Sequence, residues 1–154
     1  MNITQMENGI MNIIQEDKDL LLRYLSMSLT YGLKLKKCNE DNRAVELYSI
    51  NLEHETIQYW NYKSSSLQIG GCGHLIRYDK LQFKPYLRPL SSMTEEEMDA
   101  YANTGSFLYA NGIPYNLVYT TKGLFFLLNN HFDIFNLIPK DLAIEITEEN
   151  NPYK

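Results

Sequence analysis

Short segments with a side-chain period of two dominate the first half of the chain, and they constrain the fold more than any other feature. Apolar and polar residues alternate at 33–36 and 44–50, and two further short segments, at 56–60 and 75–78, are expected to continue the sheet. Turn-forming residues at 39–42 and 53–54 separate the first three segments. Such alternation is typical of antiparallel strands with one buried face. We therefore expect a small, strongly bent antiparallel sheet, with an SH3-like barrel as one form of it.

Two other segments of the chain have compositions that do not favour a helix. Residues 61–73 contain three consecutive serines and the sequence Gly-Gly-Cys-Gly. This composition predicts a flexible loop that interrupts the sheet. Residues 84–90, with the sequence KPYLRPL, contain two prolines, each of which disfavours a helix in the residue before it. We expect this segment to be an extended strap.

Three further segments carry helix signals. Residues 17–29 place four leucines at helical spacing, and Gly32 follows as a residue that can end a helix. Thr94 and Glu97 have the spacing of a capping box, which predicts a helix that ends near Asn103. A third helix is expected from a Thr120 or Thr121 cap through Phe132. The predicted fold class is α+β, a small bent sheet flanked by an N-terminal helix and two or three C-terminal helices.

A hairpin is expected between the second and third helices. Residues 107–109 and 117–119 flank Asn111-Gly112, the dipeptide that most favours a tight turn. The length of 154 residues corresponds to one ordinary domain. We predict an N-terminal extension at 1–16, a single α+β domain at 17–147, and a polar tail at 148–154 that frays.

Targeting signals and reactive motifs are not evident in the sequence. The start of the chain has no basic region followed by an apolar run, and the longest apolar run is GLFFLL. We therefore expect a soluble protein in the cytoplasm of a host cell, away from membranes, with Cys38 and Cys72 reduced. The cysteine and histidine spacing matches no metal-site pattern, and no phosphate-binding loop or nucleophile elbow occurs. No enzyme activity, metal or cofactor is predicted.

The sequence His131-Phe132-Asp133 places an imidazole and a carboxylate two residues apart. Two residues separated in this way point to different faces of a helix, so they do not form a catalytic pair there. We interpret His131 as a residue favoured by the dipole at a helix C-terminus.

The charge of the chain is unevenly distributed. Residues 18–90 hold 11 basic and 7 acidic residues, whereas residues 91–154 hold 3 and 9. Basic residues interleaved with aromatic rings are typical of surfaces that bind single-stranded nucleic acid, and tyrosine-rich surfaces also favour protein partners. The candidate partner-binding residues are Lys34, Lys36, Lys37, Arg43, Tyr59, Trp60, Tyr62, Lys63 and Arg77. Charge reversal of Lys34 and Lys36 together is expected to weaken binding.

Three stretches of the chain resemble a family of small uncharacterised proteins of Bacteroidetes phages and mobile elements. The stretches are LLLRYLSMSLTYGLKLK, KPYLRPLSSMTEEE and HFDIFNLIPKDLAIE, and together they lie within residues 18–146. Asn136 stands where the family usually has a glycine, which is a tolerable replacement at a turn. The segment at 61–73 and the hairpin at 105–119 are less typical of that family.

The resemblance implies a non-enzymatic accessory protein of a phage or mobile element. We expect it to bind and inhibit a host defence effector, in the manner of an anti-CRISPR protein, with a guide RNA as a possible part of the target. The alternative is a nucleic-acid-binding accessory module of phage transcription or replication. The sequence leaves the oligomeric state open.

Overall fold

The computed structural model describes residues 4–7, 10–38, 43–62, 68–78, 80–109 and 116–154. Within these ranges the helices are α1 (Gln15–Met27), α2 (Glu95–Asn103) and α3 (Thr121–Asn129), and a 3₁₀ turn spans Leu90–Ser92. The strands are β1 (Thr4–Glu7), β2 (Ile10–Ile13), β3 (Lys34–Lys37), β4 (Ala44–Asn51), β5 (Thr56–Tyr62), β6 (Gln68–His74), β7 (Ile76–Arg77), β8 (Lys80–Leu81), β9 (Phe83–Leu87), β10 (Phe107–Tyr109), β11 (Asn116–Val118) and β12 (Ile144–Glu145). The fold is therefore α+β.

Six strands form the main sheet, in the order β12-β9-β3-β4-β5-β6. The expectation of an SH3-like barrel is wrong, because a barrel requires its two end strands to pair, and β12 and β6 lie at opposite ends of this sheet. The expectation of a purely antiparallel sheet is wrong for one pair, since β12 runs parallel to β9. A parallel neighbour needs a long connection, and the chain between β9 and β12 contains α2 and α3. A bulge in β4 between Leu47 and Ser49 bends the sheet at that point.

Strand β6 lies where the sequence predicted part of a flexible loop. Its residues pair antiparallel with β5, with Tyr59 opposite Gly71 and Trp60 opposite Gly70. Glycine weakens a strand because it has no side chain to pack. Here the aromatic rings of the neighbouring strand cover the glycines, which gives this glycine-rich segment a packed surface. The prediction of a loop is therefore wrong for residues 68–73, while 63–67 lie outside the described residues.

The main core lies between one face of the sheet and α1. Leu21 and Leu25 of α1 belong to the same buried cluster as Leu35, Val45 and Ile57 of the sheet. The helix begins two residues before the predicted range of 17–29 and ends two residues before the end of that range, at Met27. We call the sheet face that carries this cluster the inner face and the opposite one the outer face.

A second buried cluster involves α2, α3 and the segment before α2. It contains Leu90, Met93, Tyr101, Leu127 and Phe132. The capping box of Thr94 and Glu97 is present, and Thr120 caps α3 by accepting a hydrogen bond from the Gly123 amide at 3.1 Å. Helix α3 ends at Asn129, earlier than predicted. The reason is that His131 takes a φ of +58° and Phe132 forms a β-bridge with Arg88.

Small hairpins complete the described structure. The pairs are β1 with β2, β7 with β8, and β10 with β11. The last pair is the predicted hairpin, with Phe107 opposite Val118, and its Asn111-Gly112 turn lies outside the described residues. No helix in the described part of the chain has both the length and the apolar character needed to cross a membrane.

The C-terminal tail packs against the sheet instead of fraying. The Lys34 amide donates a hydrogen bond to the Tyr153 hydroxyl at 2.9 Å, and that hydroxyl donates to the Tyr86 carbonyl at 3.1 Å. The Tyr153 ring stacks on His131, with centroids 4.0 Å apart and an interplanar angle of 12°. The tail thus joins β3 and β9 to the end of α3.

Candidate functional site

The predicted basic stripe on β3 is largely neutralised. Lys34 and Lys36 do share the outer face, as alternation requires. Lys34, however, stands opposite Glu46 of β4, and its ammonium lies 2.6 Å from the Glu46 carboxylate. Lys36 stands opposite Ala44 on one side and Lys84 on the other, and Lys84 pairs with Asp141 at 2.7 Å. Two of the lysines on this face are therefore ion-paired, Lys34 across the strands with Glu46 and Lys84 with Asp141 of the segment before β12.

The other predicted residues divide between the two faces and the rim of the sheet. Trp60 lies on the outer face, opposite Glu46. Lys37 and Tyr59 lie on the inner face, where the Lys37 ammonium is 4.7 Å from the centre of the Tyr59 ring. Arg77 and Arg43 are exposed, in β7 and just before β4. Tyr62 ends β5, and Lys63 lies outside the described residues. The members of this set whose side chains the structure describes do not form one surface.

Several cations of residues 18–90, the basic part of the sequence, also have partners within the fold. Lys18 pairs with Glu55 at 2.9 Å, and Lys140, from the acidic part at 91–154, pairs with the buried Asp17 at 3.0 Å. Arg88 makes a bidentate pair with Glu97, at 2.7 and 2.8 Å. The uneven charge of the sequence is therefore partly used to join the two halves of the chain.

Strand β6 is an open edge of the main sheet. Its inner neighbour is β5, and no strand in the described ranges pairs with its other side. An edge strand presents unpaired amide and carbonyl groups, and natural proteins usually protect such edges with proline, lysine or a bulge. The strand has the sequence QIGGCGH, and its register with β5 is continuous from residue 68 to residue 74. None of those protecting devices is present in it.

The glycines of β6 make room for aromatic rings of β5 and β9. A Cβ atom at Gly71 would lie 2.4 Å from carbon atoms of the Tyr59 ring, and one at Gly73 would lie 3.1 Å from the Phe83 ring. On the outer face, a Cβ atom at Gly70 would lie 3.3 Å from the Trp60 ring. The edge thus combines an accessible backbone with aromatic surfaces on both sides.

A groove of about 350 Å³ lies along β6 around Trp60, and we call it the outer groove. It is lined by Tyr48, Gln58, Tyr59, Trp60, Gly70, Gly71 and Cys72. Tyr48 and Trp60 meet edge to face, with ring centroids 5.0 Å apart, and Tyr48 is 56% exposed. Its described lining contains no Asp, Glu, Lys, Arg or His, and three of its seven residues are aromatic.

A second cavity of about 290 Å³ lies at the end of β6, and we call it the basic pocket. Its lining residues are Lys37, Tyr59, Cys72, Gly73, His74, Arg77, Gln82 and Phe83. The ring centroids of Tyr59 and Phe83 lie 5.5 Å apart, and these two rings form the wall of the pocket on the inner face. Lys37 and Arg77 are the lysine and arginine side chains of its described lining.

The buried titratable groups near the C-terminus hold the fold together. Burial lowers the pKa of His131 to about 4, helped by Arg88 and Lys34, so the imidazole is neutral at pH 7. The interpretation of His131 as a cation at a helix end is therefore wrong. Burial raises the pKa of Asp133, whose carboxylate accepts hydrogen bonds from the amides of Leu137 and Ile138 at 2.8 Å each. Asn136, which lies between Asp133 and Leu137 in the same loop, has a φ of +59°, a conformation that asparagine tolerates.

Metal chemistry finds no support in the described residues. Nowhere in those ranges do three His, Cys, Asp or Glu side chains form a group that could hold a metal ion. Both cysteines are free, and Cys72 is exposed while Cys38 is half-buried.

The sequence predicted three residues of the basic pocket, Lys37, Tyr59 and Arg77. It also predicted Trp60 of the outer groove. It missed Cys72 and the glycines because residues 61–73 were interpreted as a loop, and it also missed Tyr48 of β4. One signal could have located them: aromatic residues at 59 and 60 precede a run of glycines by a distance that fits a hairpin. Glycines opposite aromatic residues are typical of paired strands.

Comparisons of the chain with known protein families, with curated proteins and with solved structures returned no match. The candidate site therefore rests on its own geometry.

Proposed function

We propose that the chain is a non-enzymatic binding protein that occupies a partner protein through the open edge of β6. The observation that carries this proposal is the edge of β6, with which no strand in the described ranges pairs, together with the outer groove along it and the basic pocket at its end. In strand addition, an extended segment of a partner pairs with such an edge, and its side chains enter pockets on the two faces. The partner class, a host defence effector of the CRISPR type, and the phage or mobile-element origin are supported by the sequence resemblance alone.

Cys72 offers a direct way to test this proposal. The thiol is exposed and lines both cavities. A Cys38→Ser variant leaves Cys72 as the single thiol, so a bulky maleimide will attach only at β6. The experiment compares tagged Cys38→Ser protein with and without the label, in pull-downs from a Bacteroidetes host lysate treated with nuclease, followed by mass spectrometry.

We expect the unlabelled protein to recover one defence effector after nuclease treatment and the labelled protein to lose it. The recovered effector, once purified, should be inhibited by unlabelled protein and not by labelled protein. Equal recovery by both forms would remove β6 from the proposal. Loss of every partner on nuclease treatment would contradict a direct protein target.

A second candidate function is binding of single-stranded nucleic acid, and it is favoured by Tyr78. This residue is 82% exposed at the turn between β7 and β8, with a φ of +51°, and the Arg77 guanidinium lies 5.2 Å from its ring. An exposed ring beside a cation can serve as a stacking platform for a base. Binding to a single-stranded oligonucleotide that falls steeply between 50 and 200 mM salt, and weakens with Tyr78→Ala, would favour this function.

A further inference from the structure

The backbone groups that β6 directs to the open edge can be assigned residue by residue. Successive residues of an antiparallel strand direct their amide and carbonyl groups to alternate sides. Leu75, the residue after β6, donates its amide hydrogen to the carbonyl of Glu55, the residue before β5, at 2.9 Å. The register continues from there without a break, so Gly71 also directs its groups toward β5. The groups of Gly70 and Cys72 therefore point to the open edge.

The outer face of this edge carries little bulk and no charge. Residues that stand opposite each other on neighbouring strands share a face, so Gly70 and Cys72 lie on the outer face with Trp60 and Gln58. Gly70 has no side chain, and a Cβ atom there would lie 3.3 Å from the Trp60 ring. The strand contains no Asp, Glu, Lys or Arg. Neither bulk nor charge at these two residues opposes the approach of another strand.

The opposite edge of the main sheet is capped within the fold. The Ile146 amide donates to the Leu87 carbonyl of β9 at 2.8 Å, so the groups of Glu145, the residue before it, point away from β9. The side-chain amide of Asn150 donates to the Glu145 carbonyl at 2.9 Å. This cap disfavours a filament in which β6 of one chain joins β12 of the next. Pairing of β6 with a second β6 instead gives a closed dimer.

The strand is complementary to itself when two copies run antiparallel. With a two-fold axis at Gly71, all seven residues pair, and Gly70 of one copy stands opposite Cys72 of the other. Both residues direct their backbone groups to the edge, so they form a hydrogen-bonded pair. Cysteine behaves as a small apolar side chain, so it fills the space that Gly70 leaves beside Trp60. A two-fold axis also brings like residues close together, which a charged strand would oppose and this uncharged strand permits.

We infer that β6 pairs antiparallel with β6 of a second copy of this chain, about a two-fold axis at Gly71. The two six-stranded sheets then form one continuous sheet. This pairing satisfies the backbone groups of an edge that would otherwise favour aggregation. The inference goes beyond the proposed function, because it concerns the protein without its partner. A partner that adds a strand to β6 must first displace the second copy.

Sedimentation velocity of the purified full chain tests the inference without any partner. The protein carries Cys38→Ser and is kept under reducing conditions, so no disulfide contributes to assembly. Between low micromolar concentration and the limit of solubility, we expect the mass to rise from that of one chain to that of two, with no larger species. A monomer at every concentration would overturn the inference and leave the pull-down result intact. A series of larger oligomers would overturn the closed dimer.

Charged variants of Cys72 test whether the dimer forms through β6. In the proposed register the two Cys72 residues are diagonal neighbours on the outer face, within reach of long side chains. Cys72→Lys and Cys72→Glu should each weaken the dimer roughly two- to fivefold, and an equimolar mixture of the two should restore it. Cys72→Ser is the uncharged control, and urea midpoints confirm that each variant is folded. A mixture that dimerises no better than its components would overturn the assignment of the dimer to β6.

Disulfide cross-linking tests the position of the axis. Residues of a hydrogen-bonded pair have Cα atoms about 5.5 Å apart, which a disulfide can bridge, whereas diagonal neighbours at about 7–8 Å are too distant. One protein carries Cys38→Ser and retains Cys72, and the other carries Cys38→Ser, Gly70→Cys and Cys72→Ser. On oxidation by copper and air, we expect a linked dimer in the mixture and none in either protein alone. Linkage of one protein alone, as efficient as in the mixture, would overturn the axis at Gly71.

Discussion

Gly71→Ala tests whether β6 is a packed strand of the sheet. The new Cβ atom would lie 2.4 Å from carbon atoms of the Tyr59 ring and 2.6 Å from its hydroxyl oxygen. The ring has little freedom to move away, because Tyr59 is only 9% exposed and contacts Phe83. Gly70→Ala is a matched control on the neighbouring residue, where the nearest atom is 3.3 Å away on the Trp60 ring.

The two substitutions should differ in cost. Overpacking a filled site costs about 1–3 kcal/mol. The lower entropy of the unfolded chain offsets about 0.4–1 kcal/mol of the cost of replacing glycine by alanine. We therefore expect Gly71→Ala to lower the free energy of unfolding by about 1–2 kcal/mol, and Gly70→Ala to change it by less than about 0.5 kcal/mol.

Urea unfolding followed by circular dichroism measures both values. At an m-value of about 2 kcal/mol/M, the midpoint for Gly71→Ala should fall by about 0.5–1 M. In a Tyr59→Ala background the ring is absent, so Gly71→Ala should no longer cost stability. Equal and small effects of Gly70→Ala and Gly71→Ala would refute the packing of β6 on β5 and restore a loop at these residues.

Three further predictions concern polar groups that join the parts of the fold. Glu97→Gln removes the ion pair with Arg88 and weakens the capping box, and it should lower the free energy of unfolding by about 1–2 kcal/mol at pH 7. The hydrogen bond from Arg88 lowers the pKa of Glu97. The difference in unfolding free energy between the variant and the wild type should therefore shrink when urea unfolding is measured below pH 4.5. His131 takes up its proton in the unfolded chain at about pH 6.5 but in the folded chain only at about pH 4, so the unfolding free energy should fall by up to about 3 kcal/mol across that interval. His131→Phe should flatten that profile, and parallel profiles would contradict the assignment. Tyr153→Phe removes the hydrogen bond that the Lys34 amide donates to the Tyr153 hydroxyl, and it should lower the free energy of unfolding in urea by about 1–2 kcal/mol. An unchanged midpoint would mean that this contact of the C-terminal tail does not stabilise the fold.

Local patterns predicted the elements whose signals lie within the element itself. The alternation at 44–50 corresponds to β4, the expected strand at 56–60 corresponds to β5, and the Thr94 to Glu97 spacing corresponds to the cap of α2. Strand β12 has only two residues, Ile144 and Glu145, and it exists because β9 accepts it as a parallel neighbour. No local pattern of that length identifies a strand.

The candidate site was harder to predict than the fold, because it depends on pairing between distant residues. The glycines at 70, 71 and 73 indicate a loop when considered alone. In the folded sheet a Cβ atom at Gly71 would overlap the Tyr59 ring, and Cβ atoms at Gly70 and Gly73 would lie 3.3 and 3.1 Å from the rings of Trp60 and Phe83. Similarly, the sequence around Lys34 predicts a basic surface, but in the folded sheet Lys34 forms an ion pair with Glu46, which stands opposite it.

The segment that carries the sequence resemblance has a structural role throughout. Within 84–97, Lys84 pairs with Asp141, and Arg88 pairs with Glu97 and lies over the Phe132 ring at 4.3 Å. Asp133 of the C-terminal stretch holds the following loop through two backbone amides. Proteins that share these residues would therefore share packing between β9, α2 and the C-terminus. Their binding surfaces would be free to differ, because none of these residues lines the outer groove or the basic pocket.

Lys36→Glu separates the basic stripe of β3 from the edge of β6 as the binding surface. Lys36 stands opposite Lys84, and two like charges in that position disfavour the sheet by a few tenths of a kcal/mol to about 1 kcal/mol. The substitution should therefore leave stability unchanged or slightly increased, and pull-down of the effector should be unaffected. Lys34 is unsuitable for this test, because Lys34→Glu would place a carboxylate against Glu46 and destabilise the sheet. Loss of the effector with Lys36→Glu, at unchanged urea midpoint, would return the binding surface to β3 and contradict the assignment to β6.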